Sequence, residues 1–151
     1  MLDLVVRAAQ RADAAAIVRL IRSLAEFERL EGPDDAAADR FTLHGFGPQA
    51  RFEALVAEAR GAVVAYAIFF TTYSTFRMRP TLFLEDLFVH PDERRRGVAT
   101  ALMARLRDLA VERECGRFEW MVLDWNAGAQ ALYAKLGARQ LGEWRLWRVD
   151  L

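Results

Sequence analysis

The segment Phe88-Val89-His90-Pro91-Asp92-Glu93-Arg94-Arg95-Arg96-Gly97-Val98-Ala99-Thr100 constrains the fold most, because an apolar strand pattern runs there directly into a helical one. The strand Thr81 to Val89 is ended by Pro91. From Gly97 to Glu114 the residues Val98, Leu102, Leu106, Leu109 and Ala110 form one helical stripe, with Gly116 as the stop. A strand that feeds a helix through a short loop makes the chain α/β. The loop also has the chemistry of an anion site. The first N–H groups of a helix lack intrahelical acceptors and sit at the positive end of its dipole. Gly97 and Ala99 are small where a pyrophosphate must approach the backbone, and Arg94, Arg95 and Arg96 bring forked donors for phosphate oxygens.

Composition tempers that reading. Only one of the 21 basic residues, Lys135, is a lysine, so a run of arginines is equally a solvated helix start when taken alone. The 21 acidic residues balance the charge to zero, which leaves no broad electrostatic footprint for nucleic acid or an anionic membrane. One cysteine, Cys115, and two separated histidines, His44 and His90, give no zinc pattern, and no metal is expected. No stretch reaches the ~20 apolar residues of a bilayer span and no signal-peptide core is present, so a cytoplasmic location is expected. A length of 151 residues, 54 % of them hydrophobic, predicts a single domain over 1–151. A Walker loop is absent, and a dinucleotide fingerprint lacks two of its three glycines.

Elsewhere Leu4 to Arg7 reads as a strand, and Ile17, Leu20, Ile21 and Leu24 fall at helical spacing. Gly32 to Pro48 reads as a loop with a short, irregular second helix. Phe52 to Glu58 and Ala62 to Thr72 are strands around a hairpin turn at Arg60-Gly61. Phe118 to Leu123 is a strand, Ala127 to Leu136 a helix ending at Gly137, and Trp144 to Leu151 a final strand. The predicted order is β-α-α-β-β-β-α-β-α-β. Asn126 stands where it can cap the helix at Ala127, and Tyr133 follows seven residues later on the same face, about 10 Å along the axis. The pair suits one elongated ligand, although a cap and a packing residue have the same spacing.

Arg94, Gly97 and Ala99 match the R-x-x-G-x-A form of the cofactor motif in the GNAT acetyltransferase superfamily. Leu82 to Leu151 resembles the catalytic half of the diamine (spermidine/spermine) and thialysine acetyltransferases, through Leu84-Glu85-Asp86, Trp125-Asn126 and Leu132-Tyr133 with Gly137. Leu24-Ala25-Glu26-Phe27-Glu28 and Gly45-Phe46-Gly47 extend the resemblance through the N-terminal half. It implies a mixed, mostly antiparallel twisted sheet flanked by helices, whose parallel strands Thr81 to Val89 and Phe118 to Leu123 splay to admit acetyl-CoA. It implies acetyl transfer from acetyl-CoA to a primary amine of a small molecule by direct attack, in a homodimer.

Carried over by residue, the resemblance makes Tyr133 the acid that protonates the departing CoA thiolate. Asn126 would hold the pantetheine with Ala129 beside it, and the backbone of Leu87, Phe88 and Val89 would pair with the cofactor like an added strand. Arg94, Arg95, Arg96, Gly97, Val98, Ala99 and Thr100 would take the pyrophosphate. Glu85 would bind and deprotonate the amine through water, with Phe27 and Glu28 lining the acceptor pocket. Glu85 and Asp86 are neighbours on a strand and are expected on opposite faces, an alternation that does not rank them. Tyr73-Ser74-Thr75-Phe76 replaces an aspartate and a tryptophan of the diamine enzymes. Polyamines are therefore expected to be poor substrates, and a shorter amine, or an amino acid whose carboxylate meets Arg77 or Arg79, to fit better. A peptide or protein N-acetyltransferase and a non-catalytic acetyl-CoA sensor are the rival functions.

Overall fold

In a computed structural model describing residues 3–151, five strands form one sheet in the order β1-β2-β3-β4-β5. They are β1 (Leu4–Ala8), β2 (Glu53–Ala59), β3 (Ala62–Ser74), β4 (Arg79–Val89) and β5 (Arg117–Trp120). The first four pair antiparallel, and β5 lies parallel to β4. The helices are α1 (Ala14–Glu28), α2 (Asp35–Phe46), α3 (Val98–Glu112) and α4 (Ala127–Lys135). The mixed, mostly antiparallel α/β class expected from the sequence is the class observed. The chain divides into two compact units, one running through Met121 and the other Val122–Leu151.

In the first unit, β2 and β3 are nearly continuous apolar runs because both of their faces are covered. On one face, Ile17 and Leu20 of α1 pack with Val56, Tyr66, Ile68 and Phe88, and Phe41, Phe46 and Phe52 extend that cluster. The other set of strand residues, including Ala65, Ala67, Phe69, Leu82 and Leu84, is buried together with Leu102 and Leu106 of α3. Asp13, buried at the start of α1, accepts the Gln10 N–H at 2.7 Å and two Arg7 bonds at 2.8 and 3.0 Å. Arg7 reaches on to Glu58 at 3.0 Å, so one guanidinium joins β1, β2 and the start of α1.

Three boundaries differ from expectation. The second helix is a regular one of 12 residues, because Asp34 caps it by accepting the Ala37 N–H at 2.7 Å and Phe41 stacks on Phe52. The strand expected over Phe118 to Leu123 stops at Trp120, opposite Leu84, where β4 changes course. Trp144 to Leu151 is not a strand. Its own unit contains no other strand to pair with, and Trp144, Leu146, Trp147 and Val149 are exposed.

The change of course in β4 shapes the site. Ile68 pairs with Asp86 while Phe69 pairs with Leu84, which leaves Glu85 as the extra residue of a β-bulge. The ladder to β5 ends at Leu84, so beyond Glu85 one edge of β4 has no strand beside it among the described residues. The parallel pair expected from the sequence is present, and it ends at Leu84 and Trp120.

Candidate active site

The bulge changes the geometry of the two adjacent acids. Leu84 is paired with Phe69, whereas Asp86 is paired with Ile68 on the α1 side of the sheet. Two residues apart, they would share a face on a regular strand, and here they do not. Asp86 is thereby turned toward Tyr66 of β3 and Glu28 at the end of α1. Burial raises the Asp86 carboxyl to about 6, with the negative charges of Glu85 and Glu28 adding to the rise and Tyr66 opposing it. Glu85 itself is exposed at the bulge. Glu28, Glu85 and Asp86 thus form an electrostatically coupled acidic corner.

The Tyr66 side chain is fully buried, and its hydroxyl makes no hydrogen bond of normal geometry. Burial first, then the Asp86 and Glu28 charges, push this phenol far above its ordinary range, so it remains a proton donor. A buried hydroxyl that meets its Asp86 neighbour only in loose geometry leaves room for water or a ligand to complete its bonding. Its neighbours are carboxylates, so a group that both donates and accepts, such as an amine or water, suits the space.

The loop between β4 and α3 is built by backbone torsion. A short 3-10 turn, Pro91–Glu93, leads into Arg95 at φ 59° and Gly97 at φ 80°, both left-handed. The N-terminus of α3 carries no side-chain cap and no acid in its first turn. Its first N–H groups, through Thr100, precede the earliest intrahelical bond, Ala101 N–H to Gly97 C=O at 2.9 Å. They fit an anion. A Cβ at Gly97 would meet nothing within 4 Å, so the glycine answers to its torsion and leaves open space for a ligand.

The three arginines are not equivalent. Arg94 donates from Nε to the Val89 carbonyl at 3.1 Å, and its guanidinium lies 5.2 and 5.3 Å from the ring centres of Phe27 and Phe88. It binds the loop to the α1 side of the sheet, and it occupies one of the β4 carbonyls expected to meet the cofactor. Arg96 donates to Glu93 at 3.3 Å. Only Arg95, of the three, makes no ion pair or hydrogen bond among the described residues. Phe27 is partly exposed under Arg94, and Glu28 is the last residue of α1.

Arg77 and Arg79 do not join this corner. Arg79 and Ser74 pair at the far end of the β3–β4 hairpin. Seven residues of strand separate Arg79 from Asp86, or ~20 Å at about 3.3 Å per residue. Ser74 is buried there and accepts the Arg77 N–H at 3.2 Å. The amino-acid carboxylate assigned to these arginines therefore has no partner from them within one chain. His90 accepts the Asp92 N–H at 3.3 Å and so has a structural role.

In the second unit Asn126 caps α4, its Oδ1 accepting the Ala129 N–H at 3.2 Å. That leaves its amide NH₂ as the group able to meet a ligand. Gln130 donates to the Leu123 and Asp124 carbonyls and fixes the turn into the helix. Tyr133 is half-buried one face-repeat along α4, and burial raises its phenol, which keeps it protonated.

Residues 15–138 match the model of the Acetyltransferase (GNAT) family. The pig thialysine N-epsilon-acetyltransferase (Sus scrofa) is 34 % identical over 97 % of this chain and 91 % of its own length. The mouse protein of the same name (Mus musculus) is 36 % identical over 94 % and 88 %. A solved aminoglycoside N-acetyltransferase, AAC(6')-Iy in complex with CoA, superposes with a TM-score of 0.79 at 20 % identity, covering 100 % of this chain and 97 % of that one. Sequence motif, fold and family match agree, and the chain belongs to the GNAT acetyltransferase family.

Proposed function

We propose that this enzyme transfers the acetyl group of acetyl-CoA to the primary amine of a small, amino-acid-like substrate such as thialysine. The observation that carries the reading is the bulge at Glu85, which turns Asp86 toward Glu28 and Tyr66 beside the free edge of β4. The names of the two mammalian relatives support the substrate class, and the CoA held by the aminoglycoside enzyme supports the donor.

An alkyl amine with a pKa near that of lysine is mostly cationic at neutral pH, and only its neutral form attacks a thioester. In this mechanism Glu28 and Asp86 attract the ammonium, and Glu85 takes its proton through water. The nitrogen then attacks the thioester carbon. The oxyanion is met by the backbone N–H of Leu87, on the strand segment after the bulge. Collapse expels the CoA thiolate, which takes a proton from Tyr133, while the second proton on the attacking nitrogen leaves through water and restores the Tyr133 hydroxyl. Asn126 and Ala129 serve the pantetheine, the backbone of Leu87 to Val89 pairs with it except at the Val89 carbonyl that Arg94 occupies, and Arg95 with the N–H groups of Gly97 to Thr100 holds the pyrophosphate.

The reading treats 1–151 as one acetyltransferase domain, which the family match from residue 15 to 138 supports by crossing both compact units. It includes a homodimer, supported by exposed Tyr73, Phe76 and Met78 in one unit and Trp144, Leu146 and Trp147 in the other. It includes a cytoplasmic location without nucleic-acid or membrane partners, supported by the zero net charge and the free Cys115. The test is a comparison of variants under one set of conditions: Glu85→Gln is expected to lower kcat, and Asp86→Asn to raise the KM for the amine. Wild-type constants in both variants would overturn the acceptor site.

A further inference from the structure

Glu93 has no part in the chemistry above, yet its side chain is only 5 % exposed. One carboxylate oxygen accepts from Arg60, and the other accepts from Arg96 at 3.3 Å. Arg60 belongs to the two-residue turn between β2 and β3, while Arg96 belongs to the loop that opens α3. These parts are 36 residues apart in sequence and meet at one carboxylate.

Both ends of this bridge sit on unusual backbone. Arg60 and Gly61 have φ of 52° and 75°, a pair of left-handed residues at which hairpin turns favour asparagine, aspartate or glycine. An arginine there carries strain that those residues avoid, and its side chain reaches Glu93. Arg96 lies between Arg95 at φ 59° and Gly97 at φ 80°, the two left-handed residues that set the direction of the loop. The bridge therefore holds a side chain inside the strained stretch and anchors it to the sheet.

We propose that Glu93 is the positioning residue of the acetyl-CoA loop: by clamping Arg96 to Arg60 it keeps the N–H groups of Gly97 to Thr100 in the arrangement that receives the pyrophosphate. This rests on the reading of Arg94 to Thr100 as the pyrophosphate site. Clamping and simple charge effects predict opposite outcomes. As a mere negative charge near an anion site, Glu93 would repel the ligand, and its neutralisation would tighten binding. As a clamp, it improves binding, and its neutralisation loosens the loop.

The experiment measures acetyl-CoA affinity by calorimetry, together with kcat and both KM values, for wild type, Glu93→Gln, Arg60→Gln and Arg60→Lys. Loss of a charge-assisted contact corresponds to roughly ten- to a hundredfold, so Glu93→Gln is expected to raise Kd and KM for acetyl-CoA by about tenfold or more. Its kcat and its KM for the amine stay near wild type. Arg60→Gln moves the same two constants in the same direction, and Arg60→Lys restores them. A role in stability alone would lower Tm and leave the acetyl-CoA constants unchanged. Unchanged or tighter acetyl-CoA binding in Glu93→Gln overturns the proposal. Should that variant not fold, Arg60→Gln decides, because its side chain is 61 % exposed on a turn and its loss leaves the core intact; unaltered affinity there is equally fatal. Wild type that fails to bind acetyl-CoA refutes the loop assignment and this proposal with it, whereas wild-type binding without an effect of Glu93 refutes only the clamp.

Discussion

Asp86 links the stability of the fold to the proposed acceptor site. Its folded-state pKa, about 6, lies above the ordinary carboxylate value, so the folded protein holds this proton more tightly than the unfolded chain does. The stabilising contribution is complete below about pH 4 and is lost as pH rises through about 6. Asp86→Asn should therefore remove this part of the pH dependence and stabilise the protein at pH 7–8 by up to ~3 kcal/mol, two pKa units at ~1.4 kcal/mol each. The same substitution should abolish an acidic limb near pH 6 in kcat/KM for the amine. Thermal melts and rate profiles across pH 4–8 check both, and a variant less stable at pH 8 would contradict the burial argument. Gly97→Val tests the loop. A β-branched residue at φ 80° costs ~1–2 kcal/mol, and the calorimetric affinity for acetyl-CoA should fall by about tenfold or more. The loop was legible in sequence because its glycine, its small residues and its place before a helix follow local rules. The separate fates of Arg94 and Arg96 were not, because ring faces and Glu93 are tertiary partners. The direction of Asp86 was left open by alternation, and no local signal marks a bulge at Glu85.

At the scale of elements, the periodic segments were read correctly, and errors gathered where an element depends on its neighbour. The α3 stripe and the Arg60-Gly61 hairpin turn emerged from spacing alone. β5 ends at Trp120, where the adjacent strand bulges, and the segment from Trp144 to Leu151 is not a strand. The junction of β1, β2 and α1 offers a direct test. Arg7 holds the Asp13 carboxyl below its ordinary range, so this pair stabilises the fold at neutral pH and the benefit fades as pH falls through the lowered value. Asp13→Asn should cost ~1–3 kcal/mol, a Tm decrease of roughly 3–10 °C at pH 7, and a smaller decrease at pH 3. An equal loss at both pH values would assign the effect to packing. In α4, Tyr133→Phe should lower kcat by ~10²-fold or more while the KM for acetyl-CoA changes little, as removal of a general acid does. Unchanged turnover would leave Tyr133 as a packing residue.

At the scale of the whole molecule, the family match and the fold make the enzyme class secure, and the acceptor is where chemistry must decide. The substitution at Ser74 no longer bears on the acceptor corner within one chain, since it lies at the other end of the β3–β4 hairpin. In the proposed reading, the acidic corner of Glu28, Glu85 and Asp86 is what selects an amine. The most direct measurement is release of free CoA from acetyl-CoA with thialysine, a short diamine, spermidine or no amine under one buffer condition. The account predicts amine-dependent release, fastest in kcat/KM with thialysine. Acetyl-CoA binding accompanied by the same slow release with every amine and with none would contradict it, and would leave a protein that binds the donor without transferring its acetyl group.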